Sequence, residues 1–302
     1  MFVFHRKPVL VPTDYSEDSL CAIRVAKSIA GEDSDVTVIY VAQDFDLTLH
    51  PLTWTSGPMP DYQQDRLMAA LRKWSEEHDL GNVNLVVKIG DPGMRVCEYS
   101  EEMKIRLIVV PSHGRHGISR LLLGSVAERI IRHCHCSVLV LRRTNEPDSV
   151  PALTGGWFPR KCVIVPVDFS DASKMAIETA LQVAEHRDQI DVVSVLPELE
   201  DIPFYSAEAP SDDVRRRNCH EYMKRYLTQH GYGTLRGHVL IGEPGTMIVQ
   251  HASSAAADLI VMPSHGRHSV KRWVLGSTTE RVLRHSDKPV LVLRAVEAEP
   301  AG

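Results

Sequence analysis

Val9-Leu-Val-Pro-Thr-Asp-Tyr-Ser16 returns later in the chain as Val163-Ile-Val-Pro-Val-Asp-Phe-Ser170. Each copy is a short apolar run, then an aspartate, an aromatic residue and a serine. The run suits a strand buried on both faces. The serine suits the cap of a following helix. Asp14 and Asp168 are 154 residues apart. A second match, Pro111-Ser-His-Gly-Arg-His116 with Pro263-Ser-His-Gly-Arg-His268, has a spacing of 152. Leu123-Gly-Ser125 with Leu275-Gly-Ser277, and Gly90-Asp-Pro-Gly93 with Gly242-Glu-Pro-Gly245, share that spacing. The second copy is therefore two residues shorter between its second and third strands. Solenoid periods are about 20–50 residues, so a repeat this long means a duplicated domain.

Working outward, each copy alternates strands and helices. In the first, strands are expected at Pro8 to Val11, Val36 to Val41, Val83 to Ile89, Leu107 to Val110 and Ser137 to Leu141. A helix after Ser16 carries Ala22, Val25, Ala26 and Ile29 on one face. Further helices are expected at Asp61 to His78, Gly93 to Glu102 and Ser125 to His133. Short apolar strands alternating with helices give a parallel sheet covered on both faces. The fold class is α/β: two tandem doubly wound domains, each a five-stranded parallel sheet of order 3-2-1-4-5. The stretch Arg143 to Lys161 holds three prolines and the Gly155-Gly156 pair, which is linker composition. The expected division is domain 1 over residues 1–143, linker 144–160 and domain 2 over 161–302.

The bulk numbers exclude some classes. The chain has 302 residues, a formal net charge of -5, 43% hydrophobic and 24% charged residues. That is ordinary globular composition, and the acidic balance argues against a nucleic-acid partner. No apolar run nears the roughly 20 residues of a membrane span. Met1 to Lys7 has basic residues but no long apolar stretch, so no signal peptide is read. Six cysteines that do not repeat between halves suit a reducing cytoplasm rather than a disulfide framework.

In a doubly wound sheet the ligand crevice lies beyond the strand ends where strand order reverses, here between strands 1 and 4. The two strongest repeats fall there. Pro12-Thr13-Asp14 follows strand 1, and Ser112-His113-Gly114 follows strand 4 and leads to Gly124-Ser125. A helix N-terminus at Gly124-Ser125 offers free N–H groups to a phosphate. Asp14 is placed to accept from a ribose hydroxyl. Structural roles stay open beside these: Ser125 and Ser277 each sit in a capping-box pattern, Asp14 can cap a helix or close a turn, and Gly114 can be a turn residue.

Pro-Thr-Asp-Tyr-Ser after the first strand, with Ser-His-Gly followed by Leu-Leu-Gly-Ser-Val-Ala-Glu, resembles the universal stress protein family over about 140 residues in each half. The resemblance implies an adenine nucleotide, ATP or AMP, with Mg²⁺ accompanying ATP. It implies that Pro12, Thr13, Asp14 and Val41 flank adenine and ribose, as do Pro166, Val167, Asp168 and Val195 in the second copy. Ser112, His113, Gly114, Gly124 and Ser125 would take the phosphates, as would Ser264, His265, Gly266, Gly276 and Ser277. The family's nucleotide-binding pattern opens with a glycine where this chain has Pro111 and Pro263. Proline removes an N–H and fixes φ. The resemblance also implies pairing through the last strands, Val138 to Leu141 and Val290 to Leu293. That would join the two domains within one chain and leaves monomer and homodimer both open. An unidentified protein partner fits a regulatory role.

Other chemistry is weaker. His113 and His116 recur as His265 and His268, but no third zinc-type ligand repeats with them. His133-Cys-His-Cys136 has His285-Ser-Asp-Lys288 as its counterpart, which keeps one histidine. No metal site is expected. No P-loop signature or nucleophile elbow occurs. The reading is a stress-response regulatory protein that binds nucleotide. Two alternatives stand beside it: a ligand-free interaction module that lost phosphate binding through Pro111 and Pro263, and a slow ATP hydrolase. The dissimilar stretches Asp44 to Asp61 and Pro197 to Asp212 would cover the two sites.

Overall fold

A computed structural model of the chain describes residues 8–43, 61–112, 123–142, 162–199, 210–266 and 275–294. It divides into two compact units. The first contains β1 (Val9–Thr13), α1 (Glu17–Ala30), β2 (Val36–Ala42), α2 (Asp61–Glu77), β3 (Asn84–Ile89), α3 (Pro92–Glu102), β4 (Leu107–Pro111), α4 (Ser125–His133) and β5 (Ser137–Leu141). Its five strands are parallel, in the order β3-β2-β1-β4-β5.

The second contains β6 (Val163–Pro166), α5 (Asp171–Val183), β7 (Ile190–Leu196), α6 (Asp212–Gln229), β8 (Arg236–Ile241), α7 (Pro244–Ser254), β9 (Leu259–Pro263), α8 (Ser277–His285) and β10 (Val290–Leu293). Its order is β8-β7-β6-β9-β10, again parallel. The expected class and order hold in both units. The linker Arg143 to Lys161 lies outside the described residues.

Right-handed crossovers that run one way from β1 to β3 and back from β3 to β5 set α1 and α2 on one face and α3 and α4 on the other. The core is the apolar strands themselves. Leu10, Val11, Ile39, Ile108, Val109, Leu139 and Val140 are fully buried, as are Ile164, Val165, Val192, Val193, Ile260 and Val261. Local chemistry starts the helices. Ser16 caps α1 by accepting from Ser19 N, and Ser170 caps α5 by accepting from Ser173 N. The repeated Gly90-Asp-Pro-Gly93 motif is structural. Gly90 takes a φ of 128°, Asp91 caps α3, and Pro92 opens it. A Cβ on Gly93 would meet the Arg129 side chain at 2.7 Å, so α3 and α4 pack close only over glycine.

Two details of the strands bear on function. First, β1 runs on to Thr13, so Pro12 and Thr13 end the strand rather than follow it. Second, β1 and β4 are paired only at Val9 with Leu107 and Leu10 with Ile108. Beyond that the ladder stops. The second unit repeats this, with Val163 against Leu259 and Ile164 against Ile260. Pro12, Pro111, Pro166 and Pro263 stand where β1 parts from β4 and β6 from β9, each still in register with its other neighbour, and a proline has no N–H to give the missing ladder.

Candidate functional site

The parting of β1 from β4 opens a crevice at the carboxyl ends of the strands, where this topology places ligands. Pro12 and Asp14 are half-buried there, Thr13 is buried, and the second unit has Pro166 and Val167 buried with Asp168 half-buried. Val41 lies near the end of β2 and Val195 near the end of β7.

Asp14 closes a turn. Its Oδ1 accepts from Ser16 N at 3.1 Å and from the Ser16 hydroxyl at 2.5 Å. Asp168 Oδ1 does the same with Ser170, at 3.1 and 2.5 Å. Of the two readings left open for Asp14, the turn is the one formed. The helix cap is Ser16, and the aspartate holds the capping serine.

The intervening aromatic residue sits in the left-handed region, with φ 64° at both Tyr15 and Phe169. That conformation costs a bulky residue about 1–2 kcal/mol. Ring contacts offset it. Tyr15 lies 4.7 Å from Tyr40 and 5.2 Å from Trp74. Phe169 lies 4.9 Å from Tyr222 and 5.3 Å from Tyr226. No spacing rule in the sequence signals this pair.

Ser112 and Ser264 are buried just past the strand ends. Ser112 N donates to Leu141 O, and Gly124 N returns to Ser112 O at 2.8 Å. Ser264 N donates to Leu293 O, and Gly276 N returns to Ser264 O at 2.9 Å. Each loop is thus an excursion pinned at its two ends. His113, Gly114, His116 and His268 lie outside the described residues.

In the second unit a Cβ on Gly266 would sit 2.8 Å from Asp168 Oδ2. The loop after β9 therefore reaches the carboxylate after β6, and only glycine fits. His265 Nδ1 is 2.7 Å from the Ser264 hydroxyl, and its Nε2 is shielded with no hydrogen-bond partner. Burial, then nearby Arg294, holds the His265 pKa below its ordinary value.

The capping-box reading of Ser125 and Ser277 is corrected. Gly124 and Gly276 are the N-caps, because their carbonyls accept from Glu128 N and Glu280 N. Both serines occupy the first helical position, are exposed, and make no cap bond. Each helix therefore opens without a side-chain cap. Its first N–H groups have no intrahelical acceptor.

The His133-Cys-His-Cys136 stretch points apart. Cys134 and Cys136 are buried, with Cys134 Sγ 2.6 Å from Cys97 Sγ, while His135 lies 3.9 Å from Glu101. The six cysteines are free thiols. Sequence reasoning missed a different cluster, Asp191, His238 and His251, whose potential ligand atoms all lie within 4.8 Å of one another. The signal was present in the alignment of halves, where Thr37, Val86 and Tyr99 stand at these positions.

Two copies of a doubly wound sheet, each with an aspartate turn at strand 1 and a glycine-capped helix after strand 4, define a duplicated α/β crevice protein. The chain belongs to the universal stress protein family, whose model matches residues 5–142 and again 159–294. A universal stress protein of Methanocaldococcus jannaschii is 34% identical over 140 residues, 45% of this chain and 82% of that protein. One from Mycobacterium tuberculosis is 27% identical over 304 residues, 95% of this chain and 96% of its own. Among solved structures, a putative universal stress protein of Pseudomonas aeruginosa superposes with TM-score 0.65 at 16% identity, covering 97% of this chain and 94% of that one. One from Archaeoglobus fulgidus gives 0.59 at 23% identity, covering 96% and 97%. These two likenesses concern the fold. No helix among the described residues is long and apolar enough to cross a membrane.

Proposed function

We propose that the crevice of one or both domains binds an adenine nucleotide, and that occupancy regulates a protein partner during stress. The observation that carries this is the approach of Gly266 to Asp168, which brings the two repeated motifs together in the second domain. In this reading Asp14 and Asp168 accept from the ribose hydroxyls. The backbones at Val41 and Val195 border adenine. The uncapped N-termini at Gly124-Ser125 and Gly276-Ser277 receive phosphate through free N–H groups and the positive helix end. Pro111 and Pro263 remove one donor each, worth about 0.5–1.5 kcal/mol. They stand at the strand ends, ahead of the loops, so the loop glycines and helix termini are kept.

Binding is preferred to hydrolysis because the sequence carries neither a P-loop signature nor a nucleophile elbow. The test is mass spectrometry of nucleotide released by denaturing fresh protein, followed by calorimetry with ATP and AMP on the wild type. Asp14→Ala combined with Asp168→Ala should weaken binding by about tenfold or more, as expected for loss of charged hydrogen bonds. No released nucleotide and no binding at millimolar ATP or AMP would instead favour the ligand-free interaction module.

A further inference from the structure

The second unit carries a cluster that the crevice does not use. Asp191 stands at the start of β7, His238 near the start of β8, and His251 in the last turn of α7. The crevice lies at the other ends of these strands. From Asp191 to Leu196 the strand alone covers roughly 16 Å. Both histidine Nε2 atoms lie 3.5 Å from one carboxylate oxygen, Asp191 Oδ2.

That distance is informative. An imidazole N–H donating to a carboxylate should close to about 2.7–2.9 Å. Neither Nε2 has a hydrogen-bond partner although both are shielded from water. Donors that share a tetrahedral zinc, at about 2.0–2.2 Å each, are held roughly 3.3 Å apart. The two 3.5 Å spacings to Oδ2 are close to that value, and all three candidate ligand atoms lie within 4.8 Å of one another.

The carboxylate at the centre of the cluster is buried. Asp191 is 5% exposed, and Arg236 Nε pairs with its other oxygen, Oδ1, at 2.7 Å. The two rings lie 4.8 Å apart. The negative end of α7 also faces the cluster. Asp258 accepts from Cys162 N, and the Cys162 thiol interacts with Asp191. Burial first, then Asp191, pushes that thiol up to about 12.

We infer that Asp191, His238 and His251 bind one zinc-type divalent transition ion, leaving a fourth position to water. Two imidazoles and a carboxylate suit zinc. The ion would tie β7, β8 and α7 together at the edge of the sheet away from the crevice. Nothing in this inference depends on nucleotide binding.

The test is calorimetric titration of the chelator-treated full chain with zinc chloride. The control variant combines Asp191→Thr, His238→Val and His251→Tyr. It installs the residues that the first domain carries at the same positions, so the fold has a precedent for them. His251→Gln alone serves should the triple variant fail to fold. Wild type should bind one zinc. Losing even a supporting residue typically costs 10–100-fold in metal affinity, so losing a ligand should cost at least about 100-fold. No micromolar zinc binding by the wild type overturns the inference. Equal affinity in wild type and variant also overturns it, because the zinc then sits elsewhere.

Discussion

At the carboxyl ends of their strands the two domains are near copies. Asp14 and Asp168 each hold a capping serine, and Tyr15 and Phe169 share the same φ of 64°. At the opposite ends they part. The first domain has Thr37, Tyr99 and Val86 where the second has Asp191, His251 and His238. The position that joins the second strand to the third helix is polar in both, but neutral in one and titratable in the other. What is duplicated is what the backbone turn demands. What differs lies where the sheet tolerates either chemistry.

The largest expected effect tests how alike the scaffolds are. Leu10 and Ile164 occupy the same place in the two first strands, and both are fully buried. Leu10→Ala and Ile164→Ala should each cost about 2–5 kcal/mol, through lost transfer energy and an unfilled cavity. Denaturant unfolding reads the cost directly. Costs differing by more than about 2 kcal/mol would show that one core relaxes into the cavity and the other does not.

The next effect separates two serines that look alike in sequence. Ser16 accepts from Ser19 N and donates to Asp14, and Ser170 does the same with Ser173 N and Asp168. Ser16→Ala and Ser170→Ala should each cost about 1–2 kcal/mol. Ser125→Ala and Ser277→Ala should fall within about 0.5 kcal/mol, because those side chains are exposed and cap nothing. A cost near 1 kcal/mol at Ser125 would restore the capping-box reading.

The serines mark where the sequence stopped being readable. Strands such as Ser137–Leu141 and helices such as Ser125–His133 were legible because apolar runs and a 3.6-residue period leave few alternatives. Strand order followed from topology. The capping box of Ser125 and Glu128 was a false signal, because the cap is set by which carbonyl accepts Glu128 N, and that is Gly124. The parting of β1 from β4 followed from the reversal of strand order, and the prolines mark where the pairing stops. The left-handed Tyr15 was illegible because nothing in an aromatic residue favours that φ. Asp191, His238 and His251 lie on three separate elements and no two are neighbours in sequence, so only setting the halves side by side, against Thr37, Val86 and Tyr99, signals them.

The smallest expected effect concerns one methyl-for-hydroxyl exchange at the crevice floor. Thr13 in the first domain is Val167 in the second. Thr13 Oγ1 accepts from Tyr15 N and lies 3.0 Å from the Ser19 hydroxyl. Ser173 is the counterpart of Ser19, and with no threonine to engage, its hydroxyl donates to Asp168 Oδ1 at 2.7 Å. In the first domain the Ser19 hydroxyl donates instead to Ser16 O at 2.8 Å. Thr13→Val removes the acceptor of Tyr15 N and a donor to Ser19, which can turn from Ser16 O to Asp14, so the loss is partly compensated. The net cost should stay below about 1 kcal/mol. Val167→Thr should be closer to neutral. It gives Phe169 N an acceptor, but competes with Asp168 for the Ser173 hydroxyl. Adding Ser19→Ala to Thr13→Val makes the argument sharper. If Ser19 does turn to Asp14, the second substitution costs more in the Thr13→Val background than in the wild type. Strict additivity of the two costs would mean that the serine stays where it is and that the two crevice floors differ for another reason.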